Sequence, residues 1–309
     1  MTTRQAVTFE KAAQAFKRAD FPQALAGFRA LALAGDVNAQ YLLGLVYRNG
    51  KRIKRDLGSA QHWLTQAARQ NHAPAQAALG ILLTTEPGDQ NRLADGVKWL
   101  RKAASQGDAG AQLALAQAYE SGTGVVANRT KAESWYEQAA QLGVIEAQRQ
   151  LAILYRSGND ESPEKAEQKR ARALRWLHRA AERGDRVAQR RLGVLYEQGD
   201  SVRKNQRRAI GWHRRAAAQG SAWAQYYLAI FYEEGRGVPQ SDVQALRWFI
   251  LAARHATPER GPWRSTEIIE RLQKRMTKHQ IRRARRLASR WFLNEERPAN
   301  QASLALVRN

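Results

Sequence analysis

Six tryptophans, Trp63, Trp99, Trp135, Trp176, Trp212 and Trp248, follow one another at steps of 36, 36, 41, 36 and 36 residues. Four and five positions after each stands an alanine pair: Ala67-Ala68, Ala103-Ala104, Ala139-Ala140, Ala180-Ala181, Ala216-Ala217 and Ala252-Ala253. An Ala-Gln marker keeps the same rhythm at Ala39-Gln40, Ala75-Gln76, Ala111-Gln112, Ala147-Gln148, Ala188-Gln189 and Ala224-Gln225. Self-similarity at this period requires stacked supersecondary units rather than one closed globule, because each unit buries its apolar face only against its neighbours.

The segment from Ala111 to Gly143 shows what one unit is. Leu113, Ala116 and Tyr119 recur at three-residue steps and suit the buried stripe of a first helix. Gly122-Thr123-Gly124-Val125 then breaks it, since glycine accepts the left-handed backbone that ends a helix. A second helix is expected from about Arg129 to Leu142, with Trp135 and Ala139 one turn apart and Gly143 closing it. The small position of the first helix reads Gly44, Gly80, Ala116, Ala152, Gly193 and Ala229 down the units. The second unit lacks the Gly-x-Gly-Val turn, and the fourth carries five extra residues within 158–169, a polar stretch expected to loop out. The tryptophans, locked to the repeat and to the alanine pairs, read as core, so replacing one by alanine is expected to cost on the order of 3–5 kcal/mol.

Leu-Gly-x-x-Tyr-x-x-Gly, a Gly-x-Gly-Val turn, a tryptophan with its alanine pair and a closing glycine resemble the Sel-1-like repeat, a relative of the tetratricopeptide repeat. The fullest match runs from Leu228 through Tyr232, Gly235-Arg236-Gly237-Val238 and Trp248 to Ala252-Ala253. The resemblance implies an all-α, right-handed α/α superhelical solenoid of helix–turn–helix repeats with helical caps at both ends. Residues 1–36 read as a tetratricopeptide-like pair, 37–261 as six repeats, 262–293 as basic capping helices and 294–309 as a tail. In the last part Ile281, Ala284, Leu287, Ala288 and Trp291 form an apolar stripe, with Arg282, Arg283, Arg285, Arg286 and Arg290 opposite. Thr277-x-x-Gln280 is a capping box for that helix.

Composition narrows the chemistry. The chain has no cysteine, which removes disulfides, thiolate metal sites and a cysteine nucleophile. No His-Glu-x-x-His, phosphate loop or Gly-x-Ser-x-Gly elbow occurs, and the two glycine turns recur with the repeat, so no catalytic, cofactor or metal site is expected. His178 and His213, each flanking a tryptophan, are expected to be half-buried or solvated. With no apolar run long enough for a membrane span, the expected location is the cytoplasm. The net charge of +23 is uneven: residues 1–160 hold +6 and residues 161–309 hold +17. Such a half favours acidic partners.

Function then falls to positions that packing does not dictate, on the first helices, which the resemblance places along a concave groove. The expected contact residues are Tyr41, Arg48, Arg149, Arg156, Arg190, Arg191, Trp223, Tyr226 and Tyr227, residue types enriched at interface hot spots. The favoured reading is a non-enzymatic scaffold or adaptor that holds an acidic peptide or protein in that groove. Its rivals are nucleic-acid or anionic-surface binding by the basic half, and a hydrolase of cell-wall-type substrates. The last comes from the family alone, and the chain lacks the cysteine pairs of the family's disulfide-bridged members.

Overall fold

The structure is a computed structural model describing residues 8–50, 53–156, 162–256 and 265–295; the side chains of Arg156, Pro163 and residues 292–295 lie outside the described part. Among the described residues there are sixteen helices and no strand. The chain divides into two compact units, Met1–Ala147 and Gln148–Asn309. The first contains α1 (Phe9–Lys17), α2 (Phe21–Leu33), α3 (Val37–Asn49), α4 (Leu57–Arg69), α5 (Ala73–Thr85), α6 (Gln90–Ser105), α7 (Ala109–Ser121) and α8 (Arg129–Gln141). The boundary falls inside α9 (Ile145–Arg156). The second unit continues with α10 (Pro163–Glu182), α11 (Arg186–Gln198), α12 (Gln206–Ala218), α13 (Ala222–Glu234), α14 (Asp242–His255), α15 (Ser265–Arg275) and α16 (Lys278–Glu295). In the first unit α1 packs with α2, α3 with α4, α5 with α6 and α7 with α8, each hairpin stacked on the next; in the second α11 pairs with α12 and α13 with α14, and α15 and α16 both pack against α14.

Local chemistry sets these limits. An Asp, Asn or Ser precedes most helices and accepts the N–H of the third helical residue, as Asp108 does from Ala111 (2.7 Å) and Asp185 from Ala188 (2.6 Å). First helices α3, α7, α11 and α13 end on left-handed Gly50, Gly122, Gly199 and Gly235. Gly124 has a further reason to be glycine. A Cβ there would come within 2.4 Å of the Leu93 backbone carbonyl on α6, so the turn lies directly on the preceding repeat.

Packing corrects one expectation about the tryptophans. Trp63 is 9% exposed, but Trp99, Trp135, Trp176, Trp212 and Trp248 are only half-buried. The deepest position is the residue after each of them: Leu64, Leu100, Tyr136, Leu177, His213 and Phe249 are all 0–2% exposed. Where the small residue of the first helix is glycine, this side chain sits directly over it. A Cβ at Gly44 would lie 2.5 Å from the Leu64 side chain, and one at Gly80 2.7 Å from Leu100. The indoles line crevices at the flank, where a cation of the same helix covers the ring: Lys102 over Trp99 (4.6 Å), Arg179 over Trp176 (4.9 Å), Arg215 over Trp212 (4.7 Å). A tryptophan one turn from an alanine pair is therefore a shoulder of the core, and its neighbour is the centre. The first-helix stripe shifts likewise: Leu115, not Leu113, is fully buried beside Ala116 and Tyr119.

The Ala-Gln marker acquires a physical role. Gln40, Gln76, Gln112, Gln189 and Gln225 are buried, and each donates its side-chain N–H to a carbonyl eight residues earlier. From Gln76 onward that carbonyl belongs to the second alanine of the preceding pair: Ala68 (3.1 Å), Ala104 (3.4 Å), Ala181 (2.9 Å) and Ala217 (3.1 Å). The remaining amide oxygen receives a donor from the end of its own second helix, Gln70 to Gln40 (2.8 Å), Gln106 to Gln76 (2.7 Å) and Gln219 to Gln189 (2.8 Å), with His255 meeting Gln225 at 3.0 Å. Each glutamine thus ties three helices through one amide, and a buried amide has to find such partners.

The third repeat breaks this ladder. The donor position there is Leu142, 58% exposed, and Gln112 Oε1 is left buried with no hydrogen-bond partner. Leu142→Gln should restore the missing bond and raise stability by about 1 kcal/mol. The check is a urea unfolding curve; an unchanged or lower midpoint would show that the orphaned oxygen costs nothing.

Two further segments complete the second unit. Residues 163–169 do not loop out. Ser162 caps and Pro163 begins α10, which extends the second helix of that repeat to 20 residues against 13 in α8 and α12. Ser-Pro-Glu followed by Lys, Ala, Glu, Gln and Arg is a helix start followed by strong helix formers, a signal that outweighs polarity. Only 157–161 of the insertion lie outside the described residues. At the other end, Leu272 and Met276 of α15 and its exit and Ala284 of α16 join Leu246 and Phe249 in one buried cluster. Arg271 reaches Glu233 (2.6 Å) and Arg275 reaches Asp242 (2.7 Å). The Thr277–Gln280 capping box forms, with Gln280 N–H donating to Thr277 Oγ1 (3.3 Å) and Thr277 N–H to Gln280 Oε1 (2.8 Å).

Candidate partner-binding surface

The expected contact residues divide between the two units. Tyr41 and Arg48 are half-buried on α3 of the first. Tyr41 lies against His72 (ring centroids 5.0 Å apart), and burial holds its phenol above the ordinary range. It is packing material as much as surface.

In the second unit, α9, α11 and α13 carry the rest. Arg149 is committed internally: its guanidinium pairs with Asp185 (3.3 Å), the residue that caps α11. The Arg156 side chain lies outside the described residues. Arg190 and Arg191, both half-buried on α11, face a cleft of about 270 Å³ together with Tyr227 of α13. Its apolar wall includes Ile153 of α9 and Val194 and Leu195 of α11, and no Asp or Glu among the described residues lines it. Arg190 makes no hydrogen bond or ion pair with a described residue, and burial draws its pKa down. Its named electrostatic neighbour is the Tyr227 phenol, which burial pushes up.

The aromatic residues form one array. Trp223, 36% exposed, lies 6.0 Å from Tyr226 and 6.4 Å from Tyr227, ring centre to ring centre. Tyr226 meets the buried Phe249 edge-on at 5.5 Å, and Tyr227 stacks on His213 at 4.9 Å with planes 25° apart. Both tyrosines are thus rooted in core residues, and Trp223 is the member turned outward.

His213, outside the expected site and expected to be half-buried or solvated, is fully buried. It occupies the slot filled by Leu, Tyr or Phe in the other repeats, and its ring lies flat on Gly193, where a Cβ would meet it at 2.5 Å. Neither ring nitrogen has a hydrogen-bond partner. Tyr136, in the same slot two repeats earlier, donates to Glu120 at 2.6 Å. The corresponding Glu197 stops 3.9 Å from His213 Nε2 and instead takes Arg236 at 3.2 Å. Desolvation, with a smaller contribution from Arg190, lowers the His213 pKa to about 3, so the imidazole is neutral and this contact is no ion pair. Aligning the residue after each tryptophan exposes the anomaly in the sequence: Leu, Leu, Tyr, Leu, His, Phe. The acidic positions of the first helices are likewise consumed inside the unit, Glu197 by Arg236 and Glu233 by Arg271.

The model of the Sel1 repeat matches six consecutive segments, residues 37–72, 73–108, 109–144, 145–185, 186–221 and 224–256. Among solved structures, the chain is 32% identical to a protective antigen present in uropathogenic Escherichia coli strains and displaying an SLR fold. That alignment has a TM-score of 0.73 and covers 87% of this chain but 56% of the antigen, so the chain spans little more than half the length of that relative. A Sel1 repeat protein from Oxalobacter formigenes is 28% identical, with a TM-score of 0.69 over 81% of this chain and 100% of its own. No curated protein sequence matches the chain.

Proposed function

As the chain belongs to the Sel1-repeat family, we propose that it is a non-enzymatic scaffold holding an acidic peptide or protein against the first helices of its repeats. The observation that carries this reading is the grouping of Arg190, Arg191, Trp223, Tyr226 and Tyr227 on α11 and α13. Repeat packing requires neither the charge of Arg190 nor the outward indole of Trp223. Arginine and aromatic side chains are enriched at interface hot spots, the aromatics for their large rigid area and arginine for its planar, multidentate guanidinium. Arg149 contributes by bracing α9 on the α11 cap, one step removed from the partner.

A second reading has its own observation. On α16, Lys278, Arg282, Arg283, Arg285, Arg286 and Arg290 are exposed opposite the buried Ala284 and Ala288, and none pairs with a carboxylate of a described residue. Such a face suits phosphates of nucleic acid.

One experiment separates the two. The full chain is used to capture partners from an extract at about 0.1 M and about 0.5 M salt, with and without nuclease, the higher salt screening exposed charge. The scaffold reading expects a nuclease-resistant protein that Trp223→Ala and Arg190→Glu release and that replacing the α16 arginines by Gln leaves in place. Capture abolished by nuclease or by the α16 changes alone would move the function to polyanion binding.

A further inference from the structure

We propose that the cleft between α9, α11 and α13 is a docking pocket for a carboxylate carried next to an aliphatic side chain. In this assignment Arg190 is the charge partner, the Tyr227 hydroxyl a donor, and Ile153, Val194 and Leu195 the aliphatic seat. The inference rests on the scaffold reading and names what the partner presents at this point.

Three observations converge. First, Arg190 is half-buried and pairs with no carboxylate among the described residues, and no described acidic side chain lines the cleft that it shares with Arg191. The nearest acid on its helix that could turn toward it, Glu197, is held by Arg236 at 3.2 Å. Removing a guanidinium from water without a counter-charge is unfavourable, and a ligand carboxylate offsets it through paired, charge-assisted hydrogen bonds. Second, the Tyr227 hydroxyl has no hydrogen-bond partner among the described residues although its ring is fixed against His213. A donor on a fixed ring loses little entropy on binding. Third, the lining beside these groups is largely aliphatic, with Ile153 and Leu177 joining Val194 and Leu195, and the volume is about 270 Å³. That space accommodates one or two side chains rather than a polymer backbone. A phosphodiester chain would bring several hydrated charges and nothing to fill the aliphatic side. A flat monoanion beside a Leu- or Val-like group satisfies both halves.

The carboxylate has two sources, a chain terminus or an Asp or Glu side chain, and the test distinguishes them. Ile, Val and Leu methyl groups of the full-length protein are isotopically labelled, and the resonances of Ile153, Val194 and Leu195 are followed during titration. The probes are acetyl-Ala-Ala-Leu with a free C-terminus, the same peptide amidated, and amidated acetyl-Ala-Glu-Leu-Ala. Saturable shifts with the free acid but not its amide support a terminal carboxylate. Saturable shifts with the Glu-Leu peptide support a side chain. In either case Arg190→Gln should weaken binding roughly ten- to a hundredfold. Tyr227→Phe, which keeps the ring on His213, should weaken it a few-fold. The proposal is overturned if no carboxylate peptide moves these methyls up to about 10 mM, or if Arg190→Gln, folded by its methyl spectrum, binds as well as the parent. Should Arg190→Gln fail to fold, unaltered binding by Tyr227→Phe overturns it. Peptide failure alongside a captured, nuclease-resistant protein removes the pocket and leaves the scaffold; peptide binding with no captured protein does the reverse.

Discussion

Phe249→Ala should destabilise the second unit by about 3–5 kcal/mol, whereas Trp248→Ala, one position away, should cost roughly half as much. The larger residue has the smaller effect because the loss scales with area removed from water and with the cavity left behind. Phe249 is fully buried, meets Tyr226 edge-on at 5.5 Å and belongs, with Ala229, to the cluster that seats α15 and α16. Its truncation opens a hole that backbone packed on three sides cannot close, and it loosens the terminal helices as well. Trp248 keeps one face toward solvent, covered by Arg247 at 4.7 Å, so water and that side chain refill the space. Leu100 and Trp99 form the matching test in the first unit, with Leu100 fully buried. Urea unfolding of the four variants, with hydrogen exchange in α14 and α6 to localise the loss, decides the matter. If the tryptophan variants prove the weaker proteins, the indoles carry the core after all.

The second large effect is a dependence on pH. A histidine that is charged when unfolded below about pH 6.5, but whose native pKa is near 3, binds a proton in the unfolded chain over that whole interval. The unfolded state then holds more protons than the native one, so stability falls as the pH drops from 6.5 toward 3. The slope is about 1.4 kcal/mol per pH unit, which amounts to about 2 kcal/mol between pH 7.5 and pH 5. The charged groups around His213 do not rescue it. Glu197 is turned to Arg236, Arg190 adds repulsion, and Tyr227 offers a ring face. His178, whose pKa burial also lowers, acts in the same direction, so some slope will survive His213→Leu. That variant should be more stable than the parent at every pH, because it removes two orphaned nitrogens, and most of all near pH 5. Leucine has precedents in the slot: Leu64 on Gly44 and Leu100 on Gly80 repeat the pairing with Gly193. Unfolding midpoints between pH 5 and pH 8 that run parallel for parent and variant would refute a neutral, buried imidazole.

The repeat made much of the fold legible in advance. Hairpin boundaries follow from Asp, Asn and Ser caps and from glycines forced left-handed, which are local effects written in neighbouring residues. Five of the six alanine pairs are buried, as is Ala252 of the sixth, as their size and period require. The extended α10 was written in Ser162-Pro163 and the helix formers that follow, but a polar composition resembles a loop until helix-start chemistry is weighed against it. The candidate surface was legible only as a set of residue types. Arg149 and Arg190 occupy the same repeat position, yet one is spent on a helix cap and the other faces an acid-free cleft.

Period and small-residue spacing, being properties of the chain itself, determined that helical hairpins of this length would stack, and cap residues and glycines set most of their ends. Which member of each Trp-x pair fills the interior, which glutamine lacks its partner and which arginine lacks a counter-charge were decided by tertiary packing. Those outcomes depend on distances of a few ångströms between residues 20 or more positions apart, a range over which side-chain burial and hydrogen bonding are set by neighbours in space.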